Sequence, residues 1–184
     1  MANVRSAITM TAPEIEEFVR ARRTAILGTI GPGGQPHLAA MWFALVDGAI
    51  VFETKGKSQK VVNVRRNPRV TVLLEAGVTY PELRGVSFDG TAEVIENQDA
   101  HREYLRAVAR SVIERYTGPA GGADDAALDQ VMYNRVALVL RPDRVRSWDH
   151  RKLGLDLTVP PAGSSAAGIR GWEPTSHAKR GVHG

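Results

Sequence analysis

Glu53-Thr54-Lys55-Gly56-Lys57-Ser58-Gln59-Lys60-Val61-Val62-Asn63 is a junction between two kinds of structure. Ahead of it, Ala49-Ile50-Val51-Phe52 reads as a buried strand. Behind it, Ser58 stands where a helix N-cap belongs, and Val61, Val62 and Val64 are apolar positions that can face a core. Three lysines, a threonine and a serine meet where the strand hands over to the helix. The free N–H groups and dipole of a helix N-terminus favour an anion, and a phosphate suits the place. The competing reading is a solvated basic turn with a serine cap.

Upstream of this junction the pattern is extended. Thr24 to Ile30 is strand-like, Gly31-Pro32-Gly33-Gly34 is a turn, and Gln35 to Val46 forms a second extended run. Asp47-Gly48 then makes a type I′ turn into the strand 49–54. Before these strands, Thr11-Ala12-Pro13-Glu14 has the form of a capping box with proline in the first turn, opening a helix that ends near Arg22. Residues 1–10 lack periodicity and read as an arm that is mobile or touches a partner.

Downstream, Asn67-Pro68 stops the short helix, and Arg69 to Glu75 is a β-branched strand. Leu83 to Ile95 reads as a long strand whose Gly85 and Gly90 suggest bulges or close backbone approach. A helix over 99–116 follows, with Tyr104, Leu105, Val108, Ala109, Val112, Ile113 and Tyr116 on one face. A short helix from Asp124 and two strands, Arg135 to Leu140 and Val145 to Trp148, complete the sheet. The expectation is one α+β domain over 11–150: a small β-barrel of six to seven mainly antiparallel strands with flanking helices. Residues 151–184 read as a linker-like tail, disordered or laid over a partner subunit.

The composition is that of a globular chain: 184 residues, 43% hydrophobic and 24% charged. No apolar run approaches a membrane span and no secretory core opens the chain, so a cytoplasmic protein is expected. The absence of cysteine excludes disulfides and thiol chemistry. The net charge of +4 makes anionic partners reasonable, yet no basic helix carries base-reading residues and no aromatic platform is visible, which argues against nucleic acid. No spacing indicates a metal site.

The order of these pieces resembles the pyridoxamine-phosphate-oxidase-like split-barrel superfamily, and in particular the actinobacterial flavin- and deazaflavin-dependent oxidoreductases of B type. The resemblance rests on Ala25 to Thr29, Gly34 to His37, Met41 to Phe43, Thr54 to Val70, Gly85 to Glu93 and Arg141 to Trp148. It implies a homodimer with two cofactor sites at the interface. Lys57 and Lys60, with Thr54 and Ser58, would hold a cofactor phosphate; Met41, Trp42 and Phe43 would line the ring; and Trp148 would approach the cofactor of the other subunit. Adjacent strand residues face opposite sides, so of Trp42 and Phe43 one is expected in the core. His37 is the candidate proton donor. The implied activity is hydride transfer from reduced coenzyme F-420 to a small electron-poor or conjugated acceptor. An FMN-dependent oxidase or reductase is the alternative, and a cofactor carrier or haem-binding protein a third reading.

Overall fold

The computed structural model describes residues 4–119 and 123–155. The helices are α1 (Val4–Ala7), α2 (Ala12–Ala21), α3 (Gln59–Arg66), α4 (Arg102–Thr117) and α5 (Asp125–Met132). The strands are β1 (Ala25–Ile30), β2 (Pro36–Met41), β3 (Ala44–Val46), β4 (Ala49–Lys55), β5 (Arg69–Ala76), β6 (Arg84–Ile95) and β7 (Arg135–Asp149). All seven join one antiparallel sheet in the order β2-β1-β5-β6-β7-β4-β3. The two edge strands, β2 and β3, are consecutive in the chain and separated only by Trp42 and Phe43. Two residues span a few ångströms, so the sheet must curl until its edges nearly meet. The result is a split barrel, with the split beside that dipeptide.

Two cores follow from this curl. Inside the barrel, Leu27, Phe43, Phe52, Val72, Leu74, Val86 and Leu138 pack together, with the rings of Phe43 and Phe52 6.5 Å apart and tilted. Outside it, α4 and α5 cover β3, β4 and the first half of β7 through Leu105, Val108, Leu128, Val51 and Val139. No described helix covers the outer face of β2, β1 and β5. There Ala40, Ile26 and Leu73 stand in one cross-strand row, and Leu38 in the next is 68% exposed.

The extended run from Gln35 to Val46, read as one strand, is two. The break at Trp42-Phe43 is where the chain leaves one sheet edge for the other. Conversely, the two late strands are one, fifteen residues long. A register shift at Asp89/Gly90 leaves Asp143 as the extra residue of a bulge. Gly90 is required opposite Pro142, whose Cα would lie 2.9 Å from an added Cβ. Pro142 stands next to this bulge and beyond the reach of β4, which pairs with β7 only up to Val139, and both are places where a sheet tolerates proline.

The capping box of α2 is present, the Thr11 N–H donating to Glu14 at 2.6 Å. The chain ahead of it docks on its own barrel: Asp149 donates its N–H to the Ile8 carbonyl at 2.7 Å, and Met10 donates to the Ser147 hydroxyl at 3.0 Å. The tail from residue 156 onward lies outside the described residues. No described helix is long and apolar enough to cross a membrane.

Candidate functional site

The lysine loop is a tight corner held at three points. Gly56 donates its N–H to the Asn134 carbonyl at 3.0 Å, Ser58 donates to the Lys55 carbonyl at 2.9 Å, and Arg65 reaches back from α3 to the Gly56 carbonyl at 3.0 Å. Ser58 occupies the N-cap position, but its hydroxyl makes no capping bond. It lies 3.4 Å from Oγ1 of Thr54, a buried hydroxyl to which Lys60 Nζ also donates at 3.4 Å. Thr54, Ser58 and Lys60 therefore converge, and Lys57 stands exposed beside them.

The charge of this corner is uncompensated. Among the described residues no carboxylate pairs with Lys55, Lys57 or Lys60, because the neighbouring Glu53 is held by Arg135 at 2.5 Å and Glu96 by Arg65 at 2.7 Å. The first-turn N–H groups of α3 add a partial positive charge from below. A hydroxyl left out of its cap, unpaired ammonium groups and a helix N-terminus form a donor set that fits a phosphate, which takes point charge from lysine and directional bonds from Ser and Thr.

His37 sits on β2, opposite Thr29 of β1. Its Nδ1 is buried and has no hydrogen-bond partner among the described residues. Further along the same strand, Met41 is half-buried and leads into the junction between the sheet edges. Phe43 is fully buried, with the Arg115 guanidinium 4.5 Å from its ring centre. Trp42 is 54% exposed; one indole face stacks on Tyr116 at 4.2 Å and 7°. One of the two adjacent aromatics is thus core and the other is at the surface, although the pair lies between β2 and β3 and not on a strand.

Trp148 is not part of this group. It lines a separate cleft of about 860 Å3 with Ile8, Met10, Arg144, Arg146 and His150. Lys55 pairs with Arg135 at the start of β7, and Trp148 lies thirteen residues further along that strand, on the order of 40 Å of extended chain. Within one chain the lysine loop and the Trp148 cleft do not meet. Beside Trp148, the buried Asp149 carboxyl is held below the usual carboxylate range by the Arg151 guanidinium, which bonds it at 2.6 Å.

Comparison with known proteins places this barrel. A family model described as pyridoxamine 5'-phosphate oxidase matches residues 11–149. The chain belongs to this family. Among solved structures, the conserved hypothetical protein Rv2991 from Mycobacterium tuberculosis is 53% identical, with a TM-score of 0.80 over 89% of this chain and 98% of that one. A protein described as an F-420 reductase is 26% identical, with a TM-score of 0.50 over 71% of this chain and 94% of that one. A FAD-binding protein from Mesorhizobium loti, 21% identical with a TM-score of 0.57 over 76% and 94%, shares the fold. No curated protein matches the chain.

Family membership does not single out every residue the site uses. The sequence and its family resemblance point to Thr54, Lys57, Ser58 and Lys60 but give no role to Asn63, which is fully buried in α3. The available signal was a lone amide among Val61, Val62 and Val64, four residues after Gln59. Tyr116 was read as one more apolar residue of α4. Its hydroxyl instead donates to the Arg23 carbonyl at 2.5 Å and accepts the Phe43 N–H at 2.9 Å, fastening α4 to the barrel split.

Proposed function

We propose that this member of the family is an oxidoreductase that uses reduced coenzyme F-420 to deliver hydride to a small electron-poor or conjugated organic acceptor. The observation that carries the reading is the uncompensated cluster of Thr54, Ser58, Lys57 and Lys60 at the strand-to-helix corner. The 26% identity to a protein described as an F-420 reductase favours the deazaflavin.

When bound, the reduced deazaflavin supplies the hydride, and the protein binds, orients and shields. Lys57 and Lys60 attract the cofactor phosphate, while the hydroxyls of Thr54 and Ser58 fix its direction. Met41 and the open face of Trp42 would offer contact to the cofactor ring, and Phe43 would back them from the core. His37 is the candidate proton donor, because its Nδ1 has no hydrogen-bond partner among the described residues.

The functional unit is a homodimer. Its support is the uncovered row of Ala40, Ile26 and Leu73 with the exposed Leu38, an apolar sheet face that a second copy would cover. A second copy would also bring a Trp148 cleft to a lysine loop, which one chain alone cannot do. A soluble cofactor and acceptor fit a cytoplasmic site of action.

The test is equilibrium binding of F-420 and FMN side by side, on the native protein and on Lys57→Ala/Lys60→Ala. Tight F-420 binding that the double variant loses, with FMN weak throughout, is the expected result. Preferred FMN binding would make the protein a flavin enzyme instead. Binding of neither would leave the loop a solvated basic turn.

A further inference from the structure

Three side chains form a line that runs from exposed Gln59 into the interior between α3 and the β1–β2 hairpin. Gln59 Nε2 donates to Asn63 Oδ1 at 2.8 Å, and Asn63 Nδ2 donates to Thr29 Oγ1 at 3.0 Å. The Thr29 hydroxyl donates in turn toward the His37 carbonyl at 3.4 Å. Asn63 is 0% and Thr29 1% exposed. The line begins on the residue between Ser58 and Lys60 and ends on the strand that carries His37 and Met41.

Buried polar partners gain little over apolar groups of the same shape, and each becomes costly if its mate is removed. What they add is direction. Valines packed between helix and sheet tolerate some rotation of the helix about its axis, whereas the amide of Asn63 satisfies Gln59 and Thr29 together at one rotation and one height along β1. The first turn of α3, bearing Ser58 and Lys60, is set by that same rotation.

We propose that the Gln59-Asn63-Thr29 line is the positioning device of the phosphate site. It holds α3 at the rotation in which the Ser58 hydroxyl, the Lys60 ammonium and the first-turn N–H groups address one point beside Thr54 Oγ1. Asn63 and Thr29 touch no ligand and act through Ser58 and Lys60, so the inference rests on reading the lysine loop as a phosphate site. It assigns the buried amide to recognition of the phosphate and not to the cofactor ring.

The experiment separates phosphate recognition from general loosening by comparing each phosphate ester with its phosphate-free counterpart: the 5'-phosphate of the deazaflavin FO with free FO, and FMN with riboflavin. In the native protein the phosphate-bearing member of the preferred pair binds at least about tenfold tighter, as expected for charge-assisted bonds. Thr29→Val removes the hydroxyl at constant shape and reduces that preference at least about fivefold, while affinity for the phosphate-free member stays within about twofold. Thr29→Ser, which keeps the hydroxyl, restores the preference. Thr29→Val/Asn63→Leu leaves no buried partner orphaned between the two positions and gives the same loss in a chain whose thermal unfolding checks the fold. If Thr29→Val keeps the preference, or weakens both ligands equally, or if both variants fail to fold, the line is a structural contact only and the proposal is overturned. If the native protein itself shows no preference, the phosphate reading fails first and carries this inference with it.

Discussion

The indole of Trp148 occupies the space that a side chain on Gly85 would need. The two residues are paired across β6 and β7, and a Cβ built on Gly85 would lie 2.9 Å from Cη2 of Trp148 and 2.9 Å from the Leu74 carbonyl oxygen. This glycine is therefore required for close approach of a ring, and Trp148 is held flat against the sheet as one wall of its cleft.

Gly85→Ala should destabilise the protein by about 1–3 kcal/mol, because neither the Leu74 backbone nor the Trp148 ring can retreat without cost. Gly85→Ala/Trp148→Leu should recover much of that loss, since the shorter side chain leaves room. Urea unfolding of the native protein, the single and the double variant measures both. A single variant as stable as the native protein would show that Trp148 moves freely, and that its place over Gly85 is not fixed by packing.

Tyr116 makes the second prediction. Tyr116→Phe keeps the stack on Trp42 but deprives the Phe43 N–H of its acceptor at the point where the sheet edges approach. An orphaned, partly buried N–H costs about 1–3 kcal/mol. Tyr116→Ala should cost more, adding the loss of the ring stack, about 0.5–1.5 kcal/mol beyond area burial. Denaturation midpoints should fall in the order native, Phe, Ala; equal midpoints for the native protein and Tyr116→Phe would mean that the hydroxyl fastens nothing.

Asp149 sets part of the acid sensitivity. Hydrogen bonds from the Arg151 guanidinium hold its folded carboxyl below the usual range, opposed by desolvation. The unfolded chain therefore binds the proton first as pH falls. The stability contributed by Asp149 is complete above the unfolded value, about pH 4, and is lost as pH drops through the lower folded value. Asp149→Asn should lower stability at neutral pH and flatten its decline below about pH 4. The same slope of stability against pH in variant and native protein would remove Asp149 from the acid response.

How far the sequence carried this reading depended on whether the decisive interaction is local. The capping box of α2, the Asp47-Gly48 turn, both seen at positive φ, and the strand-to-helix corner at Ser58 are decided by residues within a few positions of one another. What escaped was long-range. The continuity of β7 through Pro142 depends on β4 having already ended, and the break at Trp42-Phe43 depends on where the two sheet edges come to lie. Asn63 could be read only once Thr29, thirty-four residues earlier, was seen to be its partner. The Ser58 hydroxyl was expected to cap α3 and faces Thr54 instead, because a second hydroxyl four residues earlier, at the end of β4, competes for it.

Lys57 and Lys60 are chemically alike but differently placed, and this separates them as ligands. Lys60 is partly buried and directed at Thr54 Oγ1, so its ammonium is already near the point that Ser58 addresses. Lys57 is exposed, and its long side chain must be ordered on binding, which offsets much of what its charge contributes. Lys60→Ala should weaken binding of the preferred phosphate-bearing cofactor by about 10- to 100-fold, the range for a hydrogen bond to a charged group, and Lys57→Ala by less than about tenfold. Salt should discriminate in the opposite sense. The exposed charge of Lys57 is screened within about 10 Å at 0.1 M ionic strength, so much of its contribution should vanish between 0.02 and 0.3 M salt, roughly as Debye screening predicts, whereas that of Lys60 persists. Titrations of both single variants at the two salt concentrations would show this. Equal losses with equal salt dependence would mean that the two lysines act only as a diffuse positive patch and that the convergence on Thr54 has no part in binding.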